Sequence, residues 1–211
     1  LLHNEGTGEF TNHGAEIQSD APNHNKGGGA TFADYDRDGD LDLYVPDGAF
    51  RGLVTRGILL RNDQGSMVDV TLAAGLTDSV STDNAIWFDY DRDGFVDLYH
   101  GNMHADGQNY TTTNRMYRNT GDGRFTGDDV GLEGPFGPVG GTNGGMVATD
   151  FTSDGQPDVY LGIWNFENRI LVNDGVRGFT DGNVPSVADP GEAHGLAVGD
   201  INHDGRIDLF Q

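Results

Sequence analysis

Four copies of one aspartate-rich segment limit what this chain can fold into. They span residues 34–42, 89–97, 150–158 and 200–208, at intervals of roughly 50 to 60 residues. Each copy has an oxygen-bearing side chain at positions 1, 3, 5 and 9 and a glycine at position 6. Glycine adopts a positive φ at little steric cost, so position 6 permits a sharp turn. The spacing therefore predicts a tight loop whose alternate side chains converge on one centre.

The four loops are predicted to bind up to four Ca²⁺ ions. Ca²⁺ takes about six to eight oxygen ligands, and crowded carboxylates repel one another without a cation. The predicted ligands are the side chains at positions 1, 3, 5 and 9 and the backbone carbonyl at position 7. In the first two loops these residues are Asp34, Asp36, Asp38, Asp40, Asp42, Asp89, Asp91, Asp93, Phe95 and Asp97. In the last two they are Asp150, Thr152, Asp154, Gln156, Asp158, Asp200, Asn202, Asp204, Arg206 and Asp208.

The loops differ in their number of charged ligands. Thr152 and Asn202 are neutral at position 3, where the first two loops have aspartate. Because ligand charge tunes calcium affinity, we expect the last two loops to bind calcium more weakly. An EF-hand is a poor alternative, since it needs glutamate at position 12 and helices on both sides. Position 12 holds other residues, namely Val45, His100, Leu161 and Gln211.

The flanking sequences predict an all-β chain built from four-stranded units. Short segments rich in β-branched and aromatic residues surround each loop, and polar, glycine-rich turns separate them. Complete units span about 28–76, 84–132 and 144–186. A split unit combines two strands in 195–211 with two strands in 1–13. The chain is therefore predicted to form one domain over 1–211, with sixteen antiparallel strands in four units.

The units resemble the FG-GAP/VCBS repeats of integrin α-subunit propellers and of secreted bacterial proteins. The shared features are the four loops, the apolar-tyrosine pairs after three of them and an Asn-Arg pair before two of the third strands. The pairs are Leu43-Tyr44, Leu98-Tyr99, Val159-Tyr160, Asn114-Arg115 and Asn168-Arg169. The resemblance implies a β-propeller with calcium between the first two strands of each blade. Family propellers usually have seven blades, so this chain is either a four-bladed ring or an arc of a larger one.

Composition and charge narrow the possible partners and the location. The chain has 211 residues, no cysteine and a formal charge of −22, with 12 basic against 34 acidic residues. Nucleic acid demands a basic surface, so it is excluded as a partner. No apolar run approaches the roughly 20 residues of a membrane span. No signal peptide is visible, and a start at Leu1 indicates a processed or partial product. Weak calcium sites, with a Kd of about 10⁻⁴–10⁻³ M, suit an extracellular protein.

Several other residues are candidates for metal binding, glycosylation or sugar binding. His100 and His104 are expected to be ordinary loop histidines rather than metal ligands. Asn109 begins an N-glycosylation sequon. Trp87 is expected to pack between units, whereas Trp164 lies in a predicted loop and is a candidate for stacking on a sugar.

The predicted function is that of a non-enzymatic extracellular module with a structural, adhesion or assembly role. No nucleophile elbow, zinc motif or phosphate loop is present, and Glu192 with His194 is only the least implausible catalytic pair. The alternatives are a lectin-like propeller, a polysaccharide lyase on the same fold and a subunit of an extracellular filament. The two ends of the chain are predicted to pair, either closing one molecule into a ring or joining molecules head to tail.

Overall fold

The computed structural model describes residues 2–12, 29–46, 56–78, 82–102, 113–134, 143–163, 167–176, 178–182, 184–187 and 195–211. Within these ranges the chain forms sixteen strands and one 3-10 turn, Pro185–Val187. The prediction of an all-β chain is confirmed. None of the helical structure in these ranges is long and apolar enough to cross a membrane.

Three four-stranded antiparallel sheets are flanked by two hairpins. The N-terminal hairpin contains β1 (Leu2–Asn4) and β2 (Phe10–Asn12). Sheet I contains β3 (Thr31–Ala33), β4 (Asp42–Val45), β5 (Ile58–Asp63) and β6 (Ser66–Asp69). Sheet II contains β7 (Thr82–Phe88), β8 (Asp97–Asn102), β9 (Arg115–Asn119) and β10 (Phe125–Asp128). Sheet III contains β11 (Asn143–Thr149), β12 (Asp158–Ile163), β13 (Arg169–Asn173) and β14 (Phe179–Asp181). The C-terminal hairpin contains β15 (Ala197–Gly199) and β16 (Asp208–Phe210).

Each sheet is a simple meander in which every strand pairs with the next one along the chain. The strands lie where the repeats predict them, with ends that differ by a few residues. For example, β8 continues to Asn102, two residues beyond its predicted end at His100. The two terminal hairpins are separate two-stranded sheets, so the predicted pairing between the chain ends is not formed among the described strands.

Neighbouring sheets pack face to face, with their first strands closest together. β7 lies between β3 on one side and β11 on the other. The second strands of sheets II and III, β8 and β12, are buried along their whole length. A strand covered on both faces favours a continuous run of large apolar side chains. This explains the apolar-tyrosine pairs that follow the aspartate loops.

Aromatic side chains fill the space between sheets I and II. Trp87 from β7 lies 6.3 Å from the ring centre of Tyr35 and 6.3 Å from that of Tyr44. Phe125 from β10 lies 5.5 Å from the ring centre of Tyr35. The prediction that Trp87 packs between units is therefore confirmed. Between sheets II and III, Phe179 takes the place of Phe125 and contacts Tyr90 at 6.5 Å.

A close backbone contact also joins each sheet to the next. The amide of Phe125 donates a hydrogen bond to the carbonyl of Ala74 at 2.8 Å, and the amide of Phe179 donates to Val130 at 2.6 Å. Gly131, which follows Val130, has a φ of 87°. A Cβ atom on Gly131 would collide with the carbonyl oxygen of Phe179. Glycine is therefore required at this position for two reasons, its positive φ and the approach of sheet III.

We expect Gly131→Ala to lower the free energy of unfolding by about 2–4 kcal/mol. About 1–2 kcal/mol comes from the positive φ, and the rest comes from displacing the Phe179 backbone. Gly123→Ala is the matched control, because Gly123 has a φ of 76° and open space around its Cβ position. Urea unfolding measures both variants. Equal losses in the two variants would show that the close approach of sheet III has no energetic cost.

Candidate metal centres

The four aspartate loops share one backbone conformation. Glycine at position 6 has a positive φ in every loop, as predicted: 95° at Gly39, 93° at Gly94, 86° at Gly155 and 84° at Gly205. Position 4 also has a positive φ, although none of its residues is glycine. These residues are Arg37, Arg92, Ser153 and His203, with φ between 60° and 62°. The sequence carries little signal for this second left-handed residue, because arginine and serine do not favour that conformation and only His203 is of a type enriched in it.

Hydrogen bonds from the backbone to the aspartates close each loop. In loop two, the amide of Gly94 donates to Asp89 at 2.9 Å, and the amide of Phe95 donates to Asp93 at 2.9 Å. The other three loops repeat both bonds. The aspartates at positions 1 and 5 therefore shape the loop, in addition to being predicted ligands.

The aspartate at position 9 joins the loop to the third strand of its sheet. The carboxylate of Asp97 is fully buried and accepts hydrogen bonds from the amides of Tyr90 at 3.1 Å and Asn119 at 2.8 Å. Asp42 accepts the same pair of bonds in sheet I, and Asp158 accepts them in sheet III. Position 9 is therefore the point where the loop, the second strand and the third strand meet.

Two loops bring three predicted ligands together. Carboxylate oxygens of Asp34, Asp36 and Asp42 all lie within 4.8 Å of one another. Asp89, Asp91 and Asp97 form the same group in loop two. The aspartates at position 5, Asp38 and Asp93, are not part of these groups. Among the described residues, loops three and four form no such acidic group, consistent with the neutral residues at their position 3.

The carboxylates of these two groups are partly buried and incompletely compensated by hydrogen-bond donors. One oxygen of Asp34 and one of Asp89 are buried without a hydrogen-bond partner in the described part of the chain. Burial raises the pKa of Asp42 to about 6 and that of Asp97 to about 7, against the lowering effect of the backbone amides. A buried carboxylate is costly unless a charge or a set of donors compensates it. A hard cation would satisfy the orphaned oxygens and remove the repulsion between the carboxylates.

Arg118 supplies an internal positive charge to loop two. Its guanidinium group lies 2.7 Å from Asp91 and 3.0 Å from Asp93. At the equivalent position of sheet I, Arg61 pairs with Asp63, outside the loop, at 2.7 Å. The two acidic groups therefore differ in their electrostatic surroundings, although each consists of three aspartates at the same loop positions.

A cleft of about 640 Å³ opens between sheets II and III beside loop two. Its walls include Asp91, Arg92, Arg118 and Asp128, so it carries charges of both signs. A smaller cleft of about 370 Å³ occupies the equivalent place between sheets I and II. The clefts are repeated features of the packing between sheets, and each lies against an aspartate loop.

Comparison with known proteins does not assign the chain to a family. No family model matches the sequence, and no curated protein gives a significant match.

The prediction that His100 is an ordinary loop histidine is wrong. His100 lies in β8, with only 4% of its surface exposed, rather than in a loop. Its ring lies 4.8 Å from that of Tyr44 and 4.9 Å from that of Tyr117. Neither ring nitrogen has a hydrogen-bond partner among the described residues. The other candidates, His104, Asn109, Trp164, Glu192 and His194, lie outside the described residues.

We expect His100→Leu to stabilise the protein, because burial of an imidazole without hydrogen bonds costs about 1–3 kcal/mol. Leucine suits this strand position, since Leu161 occupies it in sheet III. Burial, assisted by the charge of Arg115, lowers the pKa of His100 to about 3. The unfolded chain binds a proton near pH 6.5, so His100 destabilises the fold progressively as the pH falls from about 6.5 towards 3.

The advantage of His100→Leu over the wild type should therefore grow by about 1.4 kcal/mol per pH unit below pH 6.5. Chemical denaturation at several pH values measures this difference. His3→Gln is the control for replacing an exposed histidine. A constant difference between His100→Leu and the wild type would contradict a buried, neutral imidazole.

Proposed function

We propose that the chain is an extracellular, calcium-binding β-propeller module of the FG-GAP/VCBS type. Its role is structural or adhesive, without catalysis. The observation that carries this proposal is the acidic group of loop two, with its counterpart in loop one. Three carboxylates lie within 4.8 Å of one another, and one oxygen of Asp89 is buried without a donor among the described residues.

The chemistry of the ligands favours calcium over other cations. The described groups offer only carboxylate oxygens, without histidine or cysteine. Zinc and copper favour nitrogen or sulfur ligands, whereas calcium favours oxygen. Mg²⁺ needs near-octahedral geometry and retains several waters, so a crowded loop with five protein ligands suits it less well.

The position of the ligands supports a structural role for the ion. Asp97 is a predicted ligand and also holds the amides of loop two and of β9. An ion bound to Asp97 would therefore fix the corner between β7 and β8 and the start of the turn after β9. The same carboxylate would bind the ion and also holds the loop and the third strand. Calcium binding and folding of the sheet would therefore be coupled.

The packing of the sheets supports the propeller. First strands lie next to one another, second strands are covered on both faces, and the same aromatic contact recurs between consecutive sheets. This is the arrangement expected of radially placed blades. The formal charge of −22 disfavours nucleic acid as a partner.

We expect calcium to raise the melting temperature of the chelator-treated protein. Binding only to the native state adds about 2.7 kcal/mol per site at a calcium concentration of 100 times the Kd. Asp89→Asn should weaken one site, because it removes a charged ligand, whereas Asp122→Asn in an exposed turn should not. Binding should also weaken below about pH 7, where protons compete for Asp97.

Calorimetric titration with CaCl₂ and thermal melting measure these effects, with MgCl₂ as the ionic control. The proposal fails if millimolar calcium releases no heat and leaves the melting curve of the wild type unchanged. It also fails if Asp122→Asn weakens binding as much as Asp89→Asn does.

We expect Arg118→Gln to tighten calcium binding at loop two roughly fivefold, which corresponds to about 1 kcal/mol. The guanidinium group lies against two predicted ligands, so it repels an incoming cation and competes for their oxygens. Arg61→Gln is the matched control, because Arg61 pairs with Asp63 outside the loop. Titration at low ionic strength measures both variants. Weaker binding in Arg118→Gln would show instead that the arginine organises the ligands.

A further inference from the structure

Aspartate followed by glycine occurs nine times in this chain, and seven of these Asp-Gly dipeptides lie in the part that the structure describes. Four of the seven are positions 5 and 6 of the aspartate loops. The other three lie in the turns between strands or at the end of a strand. The aspartates of the seven dipeptides are Asp38, Asp93, Asp122, Asp154, Asp174, Asp181 and Asp204.

An Asp-Gly dipeptide can rearrange its own backbone without an enzyme. The glycine nitrogen attacks the side-chain carboxyl carbon of the aspartate, and a five-membered succinimide ring forms. Water then opens the ring at either of its two carbonyl carbons. One opening restores aspartate, and the other gives isoaspartate, in which the main chain runs through the side-chain methylene group. Glycine permits the attack because it has no Cβ atom to obstruct the approach.

The fold restrains the attacking nitrogen in all four aspartate loops. The amide at position 6 donates a hydrogen bond to the aspartate at position 1 in each of them. The pairs are Gly39 with Asp34 at 3.2 Å, Gly94 with Asp89 at 2.9 Å, Gly155 with Asp150 at 2.8 Å and Gly205 with Asp200 at 2.8 Å. A nitrogen held in this way has to give up its hydrogen bond before it can attack, so it reacts only when the loop opens locally.

Two further glycine amides are restrained by other acceptors. The amide of Gly175, which follows Asp174, donates to the side chain of Asn173 at 2.9 Å. The amide of Gly182, which follows Asp181, donates to the carbonyl of Ile170 at 2.8 Å. Six of the seven described dipeptides therefore have a hydrogen-bonded attacking nitrogen.

The seventh dipeptide, in the turn between β9 and β10, differs from the others. The amide of Gly123 donates no hydrogen bond to any of the described residues. Asp122 is exposed, and its carboxylate accepts a hydrogen bond from the hydroxyl group of Thr120 at 2.5 Å. Glycines on both sides, Gly121 and Gly123, leave the backbone free to rotate. Open space surrounds the place where a Cβ atom on Gly123 would lie.

We propose that Asp122 is a modification site, at which the backbone rearranges spontaneously to isoaspartate, and that hydrogen bonding of the glycine amide protects the other six dipeptides. A bond forms between the nitrogen of Gly123 and the carboxyl carbon of Asp122. A carbon–oxygen bond of the carboxyl group breaks, and its hydroxyl group leaves with the amide proton as water. Hydrolysis of the ring returns this water, so the modified chain has its original mass and no further reactant is needed.

The modification would fall beside the contact between sheets I and II. It adds one methylene group to the main chain shortly before Phe125, whose amide donates to the carbonyl of Ala74. In the same turn, Gly121 lies so close to the ring of Phe95 that a Cβ atom on it would be 2.9 Å from a ring carbon. The proposal is independent of the proposed calcium sites, because it depends only on the hydrogen bonds of the seven glycine amides.

Incubation of the folded protein in water enriched in ¹⁸O tests the proposal. Each passage through the ring incorporates one oxygen atom from the solvent, so proteolysis and mass spectrometry measure the reaction separately at every dipeptide. Electron-transfer fragmentation then distinguishes isoaspartate from aspartate. We expect Asp122 to incorporate label roughly tenfold faster than any of the other six, because a hydrogen bond has to break at each of them. Asp122→Glu should not react there, since its ring would need six members.

The same incubation in concentrated urea separates the effect of the fold from that of the sequence. We expect the seven dipeptides of the unfolded chain to react at similar rates, because glycine follows the aspartate in all of them. Equal labelling of the seven sites in the folded protein would overturn the proposal. A preference for Asp122 that persists in urea would also overturn it, since the fold would then have no part in it.

Asp150→Ala tests the protection directly at loop three. It removes the acceptor of the Gly155 amide, so Asp154 should react roughly tenfold faster than in the wild type. Asp122 and Asp174 are internal controls whose rates should not change. An unchanged rate at Asp154, in a variant with the circular dichroism spectrum of the wild type, would contradict the protective role of the hydrogen bond. If the variant does not fold, the comparison of folded and unfolded wild type decides the proposal.

Discussion

The buried aspartate at position 9 is the interaction on which each sheet depends. Asp97 is fully buried, and its carboxylate accepts hydrogen bonds from two backbone amides in different parts of the sheet. A buried charge is tolerated only where donors or a counter-charge compensate it. The loop therefore has to curve so that the backbone amide at position 2 reaches this carboxylate. The third strand has to end where the backbone amide of its asparagine reaches the same carboxylate. Burial raises the pKa of Asp97, against the lowering effect of these two donors.

The asparagine at the end of the third strand extends this arrangement to the next sheet. Asn119 donates its backbone amide to Asp97, while its side chain donates to Val96 in its own sheet and to Tyr35 in sheet I. Asn173 makes the same contact with sheet II through Tyr90. One residue thus ties a hairpin, a loop and a neighbouring sheet together, which accounts for its near-complete burial despite its polarity.

The sequence predicts those parts of the structure that depend on local spacing. The loops, their glycines and the sixteen strands follow from ligand periodicity and from short apolar runs, because both patterns reflect neighbours within a few residues. The positive φ of Arg92, and of its equivalents Arg37 and Ser153, could not be predicted, since the loop closure imposes it on residues that do not favour it. The prediction that His100 lies in a loop is wrong because β8 extends beyond it and packs against Tyr44 of sheet I. That contact between sheets is a tertiary feature, which local sequence patterns do not show.

The contacts between consecutive sheets have a consequence for how such a chain can change over evolutionary time. Two hydrogen bonds between sheets II and III use the same positions of the repeat as two bonds between sheets I and II: the asparagine side chain to a carbonyl and the phenylalanine amide to a carbonyl. A duplication or deletion of one whole unit would leave each remaining boundary chemically complete, because each unit recognises only its neighbour. Gain or loss of a fraction of a unit would instead separate an asparagine from its carbonyl. The architecture therefore favours changes of length by whole units, because such changes leave the contacts between neighbouring sheets unaltered.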